Sequence, residues 1–388
     1  MQTRTIQPDY FGAGPALLPA EAINQAAADL IAYDDSGLGV GEISHRSAAA
    51  VAIVNDAKAN LVKLLDVPDT HEVFFLQGGG TGGFSAIVYN MLAAFAAKTG
   101  KKGKADYFIT GGWSKSAYAE AVRLGVETNV VADSRKVSPA GKFQEVPAAE
   151  TWTFSPAGET AYVYYCDNET VMGTEFSSVP AVPEGVEIVC DMSSNILSRP
   201  VDVAKFGLIF AGAQKNVGIA GASIYIIKKS LLERPTDAEL VALGVPLAPI
   251  GMEFKTVVGA NSLYNTLPIF CVDVIKLTTQ LLLDNGGLAA QQAVAERKAA
   301  KVYAALDAAP AGVYTLPVKP ASRSRMNIVF TLASPEKEKE FLAGAKARGL
   351  AGLPGHRSVG GIRVSNYNAV SEASIDRLVA YLGEFAQA

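Results

Sequence analysis

The chain has 388 residues, of which 49% are hydrophobic and 19% are charged, and its formal net charge is −4. This composition excludes general disorder and allows a large core, and the length favours about two domains. An acidic chain without a long basic run is not expected to bind nucleic acid.

The sequence predicts neither a membrane-spanning helix nor a metal site. No apolar run reaches the ~20 residues that a membrane-spanning helix needs, and Met1 to Tyr10 lack the apolar centre of a signal peptide. The three cysteines Cys166, Cys190 and Cys271 have no metal-type spacing. They are typical of buried thiols in a cytoplasmic protein, so we expect neither a disulfide framework nor a metal site.

In chain order, a turn-rich stretch from Phe11 to Pro19 leads into a helix over residues 20–32. Short apolar runs then alternate with longer helical patterns. The alternation predicts an α/β fold with a mostly parallel sheet covered by helices on both faces. The predicted strands cover residues 72–77, 107–110, 128–131, 161–166, 187–191, 207–211 and 222–227, with helices over residues 81–98 and 115–124.

The pattern changes after Pro268. Long helices are predicted over residues 270–283 and 289–308, followed by two strands (327–332 and 362–364) and two helices (335–348 and 372–385). We therefore expect an N-terminal arm (residues 1–20), a large domain (21–265), and linking helices with a smaller C-terminal α+β domain (266–388).

A glycine run, Gly78 to Gly83, follows the first strand and opens a helix. Free N–H groups at such a helix start form an anion site. The run also fits the G-x-G-x-x-G dinucleotide pattern, but the next strand ends in Gly111-Gly112-Trp113 without an acid for a ribose. A phosphate site, or a tight structural turn, is therefore favoured over a nicotinamide site. Trp113, at that strand end, either stacks on a planar ring or belongs to a core or interface.

Asp191 and Lys215 end two later strands. A carboxylate at Asp191 can hold a protonated pyridine nitrogen or cap the turn that follows it. Lys215 lies in Gln214-Lys215-Asn216 beyond a buried apolar run. Burial disfavours the ammonium and makes the amine a better nucleophile for a Schiff base. The alternative for Lys215 is a surface lysine in a loop.

Two His-Arg pairs lie far apart, His45-Arg46 near the start of the chain and His356-Arg357 near its end. Arginine forks match phosphate and carboxylate oxygens. The repetition in an acidic chain points to a phosphate as the target, against the alternative of unrelated surface salt bridges.

These residues together resemble the phosphoserine aminotransferase family of class-V, fold type I enzymes that depend on pyridoxal phosphate. The resemblance extends from Phe11 to the C-terminal helix. The motifs that resemble the family are Tyr165-Cys-Asp-Asn-Glu-Thr170, Ser193-Ser-Asn-Ile-Leu-Ser-Arg-Pro200, Ala211-Gly-Ala-Gln-Lys-Asn216, Tyr264-Asn-Thr266, Ser324-Arg-Met-Asn327 and Gly355-His-Arg followed by Gly360-Gly-Ile-Arg363.

The resemblance implies a homodimer that interconverts L-phosphoserine and 2-oxoglutarate with 3-phosphohydroxypyruvate and L-glutamate, in serine biosynthesis. It implies that Lys215 forms the Schiff base and moves the proton at the substrate Cα. It also implies that Asp191 pairs with the pyridine nitrogen, that Trp113 stacks on the ring, and that Thr170 bonds the phenolic oxygen.

For the cofactor phosphate, the resemblance implies Gly80, Thr81 and Gln214, with Asn265 and Thr266 from the neighbouring subunit. Thr81 stands where bacterial members often have an arginine, which removes one positive charge.

For the substrate, the resemblance implies that Arg363 binds the α-carboxylate and that His45, Arg46, His356 and Arg357 surround the phosphate. Ala13 stands where a serine is expected, so a backbone contact is expected there instead.

Three alternatives remain open from the sequence. The first is another aminotransferase of the same superfamily or a cysteine desulfurase, although no cysteine lies on a suitable loop. The second is a nicotinamide-dependent dehydrogenase, which would explain neither Lys215 nor the His-Arg pairs. The third is a catalytically silent scaffold, which is disfavoured because Lys215 and Asp191 are both present.

Overall fold

The computed structural model describes residues 3–387 of the chain. Within this range the helices are α1 (Ala20–Ile31), α2 (Ala48–Leu65), α3 (Gly80–Thr99), α4 (Gly112–Arg123), α5 (Ser134–Val137), α6 (Asp237–Ala242), α7 (Phe254–Gly259), α8 (Ile269–Asp284), α9 (Gly287–Asp307), α10 (Pro335–Ala347) and α11 (Glu372–Gln387). The strands are β1 (His71–Gly78), β2 (Lys104–Ile109), β3 (Thr128–Asp133), β4 (Thr160–Cys166), β5 (Asn168–Glu169), β6 (Thr174–Glu175), β7 (Glu187–Asp191), β8 (Leu208–Gly212), β9 (Gly221–Lys228), β10 (Tyr314–Thr315), β11 (Asn327–Leu332) and β12 (Ile362–Ser365).

The central sheet has seven strands in the order β1-β9-β8-β7-β4-β2-β3. Strand β9 runs antiparallel to both of its neighbours, and the other pairs are parallel. Each predicted strand of the large domain corresponds to one strand of this sheet, so the predicted fold class is confirmed. The prediction succeeded because these strands are buried on both faces and appear in the sequence as short continuous apolar runs.

Alternate residues of the sheet pack on opposite sides, as strand geometry requires. In β1, Val73 and Phe75 pack into one apolar cluster with residues of α2 and α8. Phe74 and Leu76 face the other cluster, which contains residues of α3, α4 and α7. Helices therefore cover both faces, and the carboxyl ends of the parallel strands remain the place where loops can build a site.

A smaller antiparallel sheet follows, in the order β10-β11-β12. Its inward side chains, including Phe330 and Ile362, pack with residues of α9, α10 and α11 into a separate apolar cluster. The predicted α+β character of the C-terminal region is thus present in the fold.

A buried lysine joins α9 to the segment that precedes α11. Lys298 is fully buried, and its Nζ donates to the backbone oxygens of Tyr367 at 2.9 Å and Val370 at 2.7 Å. Burial lowers the pKa of Lys298 to about 7. A neutral amine has two N–H donors, which matches the two carbonyl acceptors.

Several elements differ from the sequence prediction. Helix α2 was not predicted, although Ser47 caps it and its buried positions recur with helical spacing. The β5–β6 hairpin has two residues per strand, too few for a periodic signal. The predicted helix over residues 115–124 begins at Gly112, so Trp113 lies in its first turn and not at a strand end as predicted. Because Gly111 and Gly112 disfavour helix formation, the sequence pattern did not indicate this helix start.

Candidate active site

The loops after β1, β2, β4, β7 and β8 surround a cavity of about 240 Å³ at the carboxyl ends of the parallel strands. Seven of the predicted cofactor residues line it. These are Gly80, Thr81, Trp113, Thr170, Asp191, Gln214 and Lys215. The cavity is also lined by Phe84, Cys166, Asn168, Ser193 and Ser194, none of which was a predicted site residue.

Lys215 follows β8 and is only 8% exposed. Its Nζ donates to the hydroxyl oxygen of Thr170 at 2.7 Å. Burial lowers the pKa of Lys215, and the nearby carboxylate of Asp191 opposes this shift. The balance favours a less basic amine, and therefore a better nucleophile, than a surface lysine provides. The alternative of a surface loop lysine is excluded by this burial.

Asp191 is the last residue of β7 and is 4% exposed. One carboxylate oxygen, Oδ1, accepts from the backbone N–H of Ser193 at 2.8 Å and from its hydroxyl at 2.6 Å. Among the described residues, the other oxygen, Oδ2, accepts only from the hydroxyl of Tyr164, at 3.4 Å. Asp191 can therefore cap the turn that follows it through Oδ1 and still bind a ring nitrogen through Oδ2, because the two roles use different oxygens.

Burial raises the pKa of Asp191, and the two hydrogen bonds from Ser193 act in the opposite direction. Within residues 3–387, Asp191 forms no salt bridge. A buried carboxylate at a cavity wall without a salt-bridge partner matches a ligand that supplies a protonated nitrogen.

Ser193 fixes the direction of that carboxylate. Its Oγ accepts from the backbone N–H of Gly212 at 3.0 Å while donating to Asp191. Because Gly212 ends β8, the strand that leads to Lys215, this hydroxyl ties together the strand ends that hold Asp191 and Lys215. The sequence offered one signal for it, since Asp followed two residues later by Ser is a common turn pattern.

The glycine run forms the start of α3 as predicted. Gly78 has φ +117, a conformation that favours glycine and turns the chain from β1 toward the helix. Gly83 packs directly on the sheet, because a Cβ there would lie 2.3 Å from the Phe210 ring. Helix α3 has no side-chain cap, so the N–H groups of its first turn, at Gly80 and Thr81, are available to an anion at the cavity.

A buried polar network holds the loop with Thr170 in place. The Asn168 side-chain amide nitrogen donates to Ser194 at 2.7 Å and to Asn327 at 2.8 Å. Its oxygen accepts from the hydroxyl of Ser324 at 2.5 Å. All four side chains are fully or almost fully buried. The network joins the β5–β6 hairpin to β11 of the smaller sheet and to the loop after β7. It gives a structural role to four residues for which no role was predicted.

Arg363 lies on β12 at the edge of this region and is half-buried. Its Nη1 donates to the backbone oxygen of Thr170 at 3.3 Å. Burial, followed by the charges of Arg363 and Arg357, lowers the pKa of His356. The charges of Arg363 and Arg357 therefore act on His356, and Arg363 itself lies beside Thr170.

The remaining predicted residues do not line the cavity within one chain. His45, Arg46, His356 and Arg357 are all absent from its lining, and the buried Nε2 of His45 has no partner among the described residues. Asn265 and Thr266 are exposed.

Those two exposed residues bond to Gln77 at the end of β1. Its Oε1 accepts from Asn265 at 2.7 Å, and its amide nitrogen donates to the backbone oxygen of Thr266. The carbonyl oxygen of Ala13 accepts from the Tyr367 hydroxyl at 2.8 Å. This bond lies within the chain, so the backbone contact expected between Ala13 and the substrate stays a prediction.

The cavity fits pyridoxal phosphate. It places an uncapped helix start for a phosphate, a buried carboxylate for a protonated ring nitrogen and a desolvated amine for an aldehyde around one space. Trp113, which is 37% exposed, adds an aromatic face at the rim.

Among the helices of residues 3–387, none is both long and apolar enough to cross a bilayer. Over the same residues, His, Cys, Asp and Glu side chains form no group of three placed to hold a metal ion.

Comparison with known proteins gives consistent matches over nearly the whole chain. The model of the aminotransferase class-V family matches residues 10–378. A phosphoserine aminotransferase of Saccharomyces cerevisiae is 48% identical over 388 residues, covering 98% of each chain. A phosphoserine aminotransferase of Trichomonas vaginalis, solved with bound pyridoxal phosphate, is 39% identical with a TM-score of 0.86 and covers 97% of this chain and 99% of its own. The enzyme of the same name from Bacillus circulans is 37% identical with a TM-score of 0.87, covering 98% of each chain.

Proposed function

This chain belongs to the class-V aminotransferases and, within them, to the phosphoserine aminotransferase family, and from this premise we propose that it converts L-phosphoserine and 2-oxoglutarate into 3-phosphohydroxypyruvate and L-glutamate, reversibly. The single observation that supports the chemistry best is the shared cavity of Lys215, Asp191 and Thr170. We propose that this reaction serves serine biosynthesis.

Pyridoxal phosphate, when bound, supplies an electron sink for negative charge at the substrate Cα. Asp191 would hold the proton on its ring nitrogen, with Ser193 keeping the carboxylate directed. Trp113 would cover the ring, and Thr170 would donate to the phenolic oxygen. Gly80, Thr81 and Gln214 would bind its phosphate.

Lys215 is the proposed acid–base group of the reaction. Its amine has a pKa lowered by burial, so the neutral form that takes the proton from the substrate Cα forms more readily than on a surface lysine. The bond to the Thr170 hydroxyl keeps Nζ within the cavity. A group that is already oriented transfers a proton faster than one that must first adopt the right rotamer.

Substrate recognition would use two sets of positively charged or hydrogen-bonding side chains. Arg363 would bind the α-carboxylate that every amino acid has. His356 and Arg357 would bind the phosphate, together with His45 and Arg46. A phosphomonoester has about −1.5 to −2 charges at neutral pH, so several fixed donors are needed to desolvate it.

We propose that the active unit is a homodimer. Asn265 and Thr266 are exposed and absent from their own cavity lining, and His45-Arg46 lies outside it as well. Both facts are accounted for if these residues complete the site of a second subunit. We also propose the division into residues 1–20, 21–265 and 266–388, and a cytoplasmic location, which agrees with three buried free cysteines.

The test is product formation by the purified protein with pyridoxal phosphate, 2-oxoglutarate and either phosphoserine or serine, with L-glutamate as the measured product. Phosphoserine should give a far higher kcat/KM than serine. Equal rates for the two substrates would contradict the proposed specificity, and no glutamate from any amino acid would contradict the aminotransferase assignment.

A further inference from the structure

Glu169 is a fully buried carboxylate beside the cavity, and it has no role in the function proposed so far. Its Oε2 accepts from the backbone N–H of Trp113 at 3.0 Å. Its Oε1 accepts from the backbone N–H of Ser114 at 2.8 Å and from the Ser114 hydroxyl at 2.5 Å. The carboxylate therefore bonds the first turn of α4 from a position 55 residues further along the chain.

Helix α4 has no side-chain cap of its own, because the residue before it is Gly111. The free N–H groups of a helix start need acceptors, and a negative charge there interacts favourably with the helix dipole. Glu169 supplies both the acceptor oxygens and the negative charge. It stabilises a helix start at Gly111-Gly112, where the local sequence alone disfavours one.

The carboxylate approaches so closely only because Gly111 lacks a side chain. A Cβ on Gly111 would lie 2.3 Å from Cδ of Glu169. The backbone of Gly111 is extended, with φ −174, so any residue could adopt its conformation. The glycine is therefore required here for space.

The hydrogen-bond pattern favours the ionised form of Glu169. The Ser114 hydroxyl accepts from the backbone N–H groups of Thr110 at 3.0 Å and Gly111 at 3.1 Å. Its own hydrogen has Glu169 as the nearer acceptor, at 2.5 Å against 3.3 Å for the backbone oxygen of Gly111, so Glu169 receives three donors. Burial raises the pKa of Glu169, and these donors oppose the shift.

We propose that Glu169 is a positioning residue that fixes Trp113 relative to Thr170, and so sets the gap that receives the flat ring of the cofactor. The proposal rests on the proposed function. Glu169 and Thr170 are adjacent, so one short segment holds the hydroxyl bonded to Lys215 and the carboxylate bonded to the backbone of Trp113. Loss of the carboxylate should loosen Trp113 without removing any group that touches the cofactor.

The experiment measures Trp113 directly in the cofactor-free protein. The chain has two tryptophans, so a Trp152→Phe background leaves Trp113 as the only indole reporter. In that background, Glu169→Gln and Gly111→Ala should each raise the acrylamide quenching constant of Trp113 by about twofold or more and lower its emission anisotropy. Each should also weaken pyridoxal phosphate binding about tenfold or more, since the indole that would cover the ring is no longer held in place.

Two matched controls separate positioning from general damage. Gly112→Ala adds the same methyl one residue later, where no atom lies within 4 Å of the new Cβ. Glu175→Gln changes another buried glutamate of the same hairpin, which pairs with Arg325 at 2.7 Å and not with α4. Both controls should leave Trp113 quenching at the reference value.

If Glu169→Gln fails to fold, Ser114→Ala tests the same contact from the other side and should loosen Trp113 in the same direction. Unchanged Trp113 quenching in folded Gly111→Ala and Ser114→Ala proteins would overturn the proposal. Because this measurement needs neither cofactor nor substrate, its result is independent of whether the aminotransferase assignment is correct.

Discussion

The Nζ atom of Lys215 lies 2.7 Å from the hydroxyl oxygen of Thr170, inside the cavity that Asp191 also lines. A buried amine held by a single hydroxyl is both desolvated and aimed. Those are the two properties that a lysine nucleophile needs.

Replacing Lys215 with Ala should abolish covalent attachment of pyridoxal phosphate and lower transamination by a factor of roughly 10²–10⁴ or more. Borohydride reduction followed by peptide mass analysis measures the attachment. Lys228→Ala is the matched control, because Lys228 ends another strand but pairs with Glu187 at 3.2 Å outside the cavity. A reducible cofactor adduct that survives in Lys215→Ala would refute the assignment.

Ser193→Ala should shift the acidic limb of the pH–activity profile to higher pH. The bonds from Ser193 lower the pKa of Asp191 against the effect of burial, so losing the hydroxyl raises that pKa. Asp191 must be ionised to hold a protonated ring nitrogen, and more alkaline solution is then needed to ionise it. The profile of kcat against pH tests this, with Ser116→Ala as an exposed serine control. An unshifted acidic limb would show that Ser193 does not act on Asp191.

Arg46→Ala and Arg357→Ala should raise KM for phosphoserine strongly and leave the weak reaction with serine and alanine almost unchanged. Arg363→Ala should damage all three substrates, since each has a carboxylate. The measurement is kcat/KM for the three amino acids in each variant. Equal losses for every substrate in the first two variants would mean that those arginines support the structure and do not bind phosphate.

Mixing two inactive variants tests the shared site of the proposed dimer. A Lys215→Ala chain still has Asn265 and Thr266, and a chain with both Asn265→Ala and Thr266→Ala still has Lys215. A mixed dimer then contains one intact site. Random re-pairing of equal amounts should restore about one quarter of wild-type activity. Light scattering should show two chains per particle, and mixtures that stay inactive despite confirmed exchange would count against shared sites.

Lys298→Met should flatten the rise of stability with pH. The folded pKa of Lys298 is about 7 against an ordinary value of 10.5, so between these values the unfolded chain binds one proton more than the folded chain. The free energy of unfolding of the wild type therefore rises with pH between about 7 and 10.5, and this contribution is lost as the pH is lowered to 7. Relative to Lys298→Met, the slope should be about 1.4 kcal/mol per pH unit. Urea unfolding from pH 7 to 9 measures it, and parallel curves would refute the buried neutral amine.

Most of the large sheet could be predicted from sequence because its strands are buried on both faces and appear as uninterrupted apolar runs. Lys215 and Asp191 could be found for the same reason, since each ends such a run. The start of α4 could not be found, because Gly111 and Gly112 give no local helix signal and the stabilising acceptor, Glu169, is distant in sequence.

Contacts between segments that are distant in the chain could not be predicted from the sequence either. The bond from the Asn168 side chain to Asn327 joins residues 159 positions apart. No periodic pattern encodes such a pair. The two His-Arg pairs were visible as residues, but a single chain does not bring His45 into the cavity lining.

The three hydrogen bonds of the buried Asn168 side chain limit which substitutions this sequence can accept. Its amide group is bonded to three other residues, Ser194, Ser324 and Asn327. Replacing any one of the four with a residue that has no hydrogen-bonding side chain leaves a buried donor or acceptor unpaired, at a cost of about 1–3 kcal/mol. Each such substitution therefore lowers the stability of the fold as long as the other three residues are unchanged. Descendants of this chain should keep the four residues together, even where the surrounding surface drifts freely.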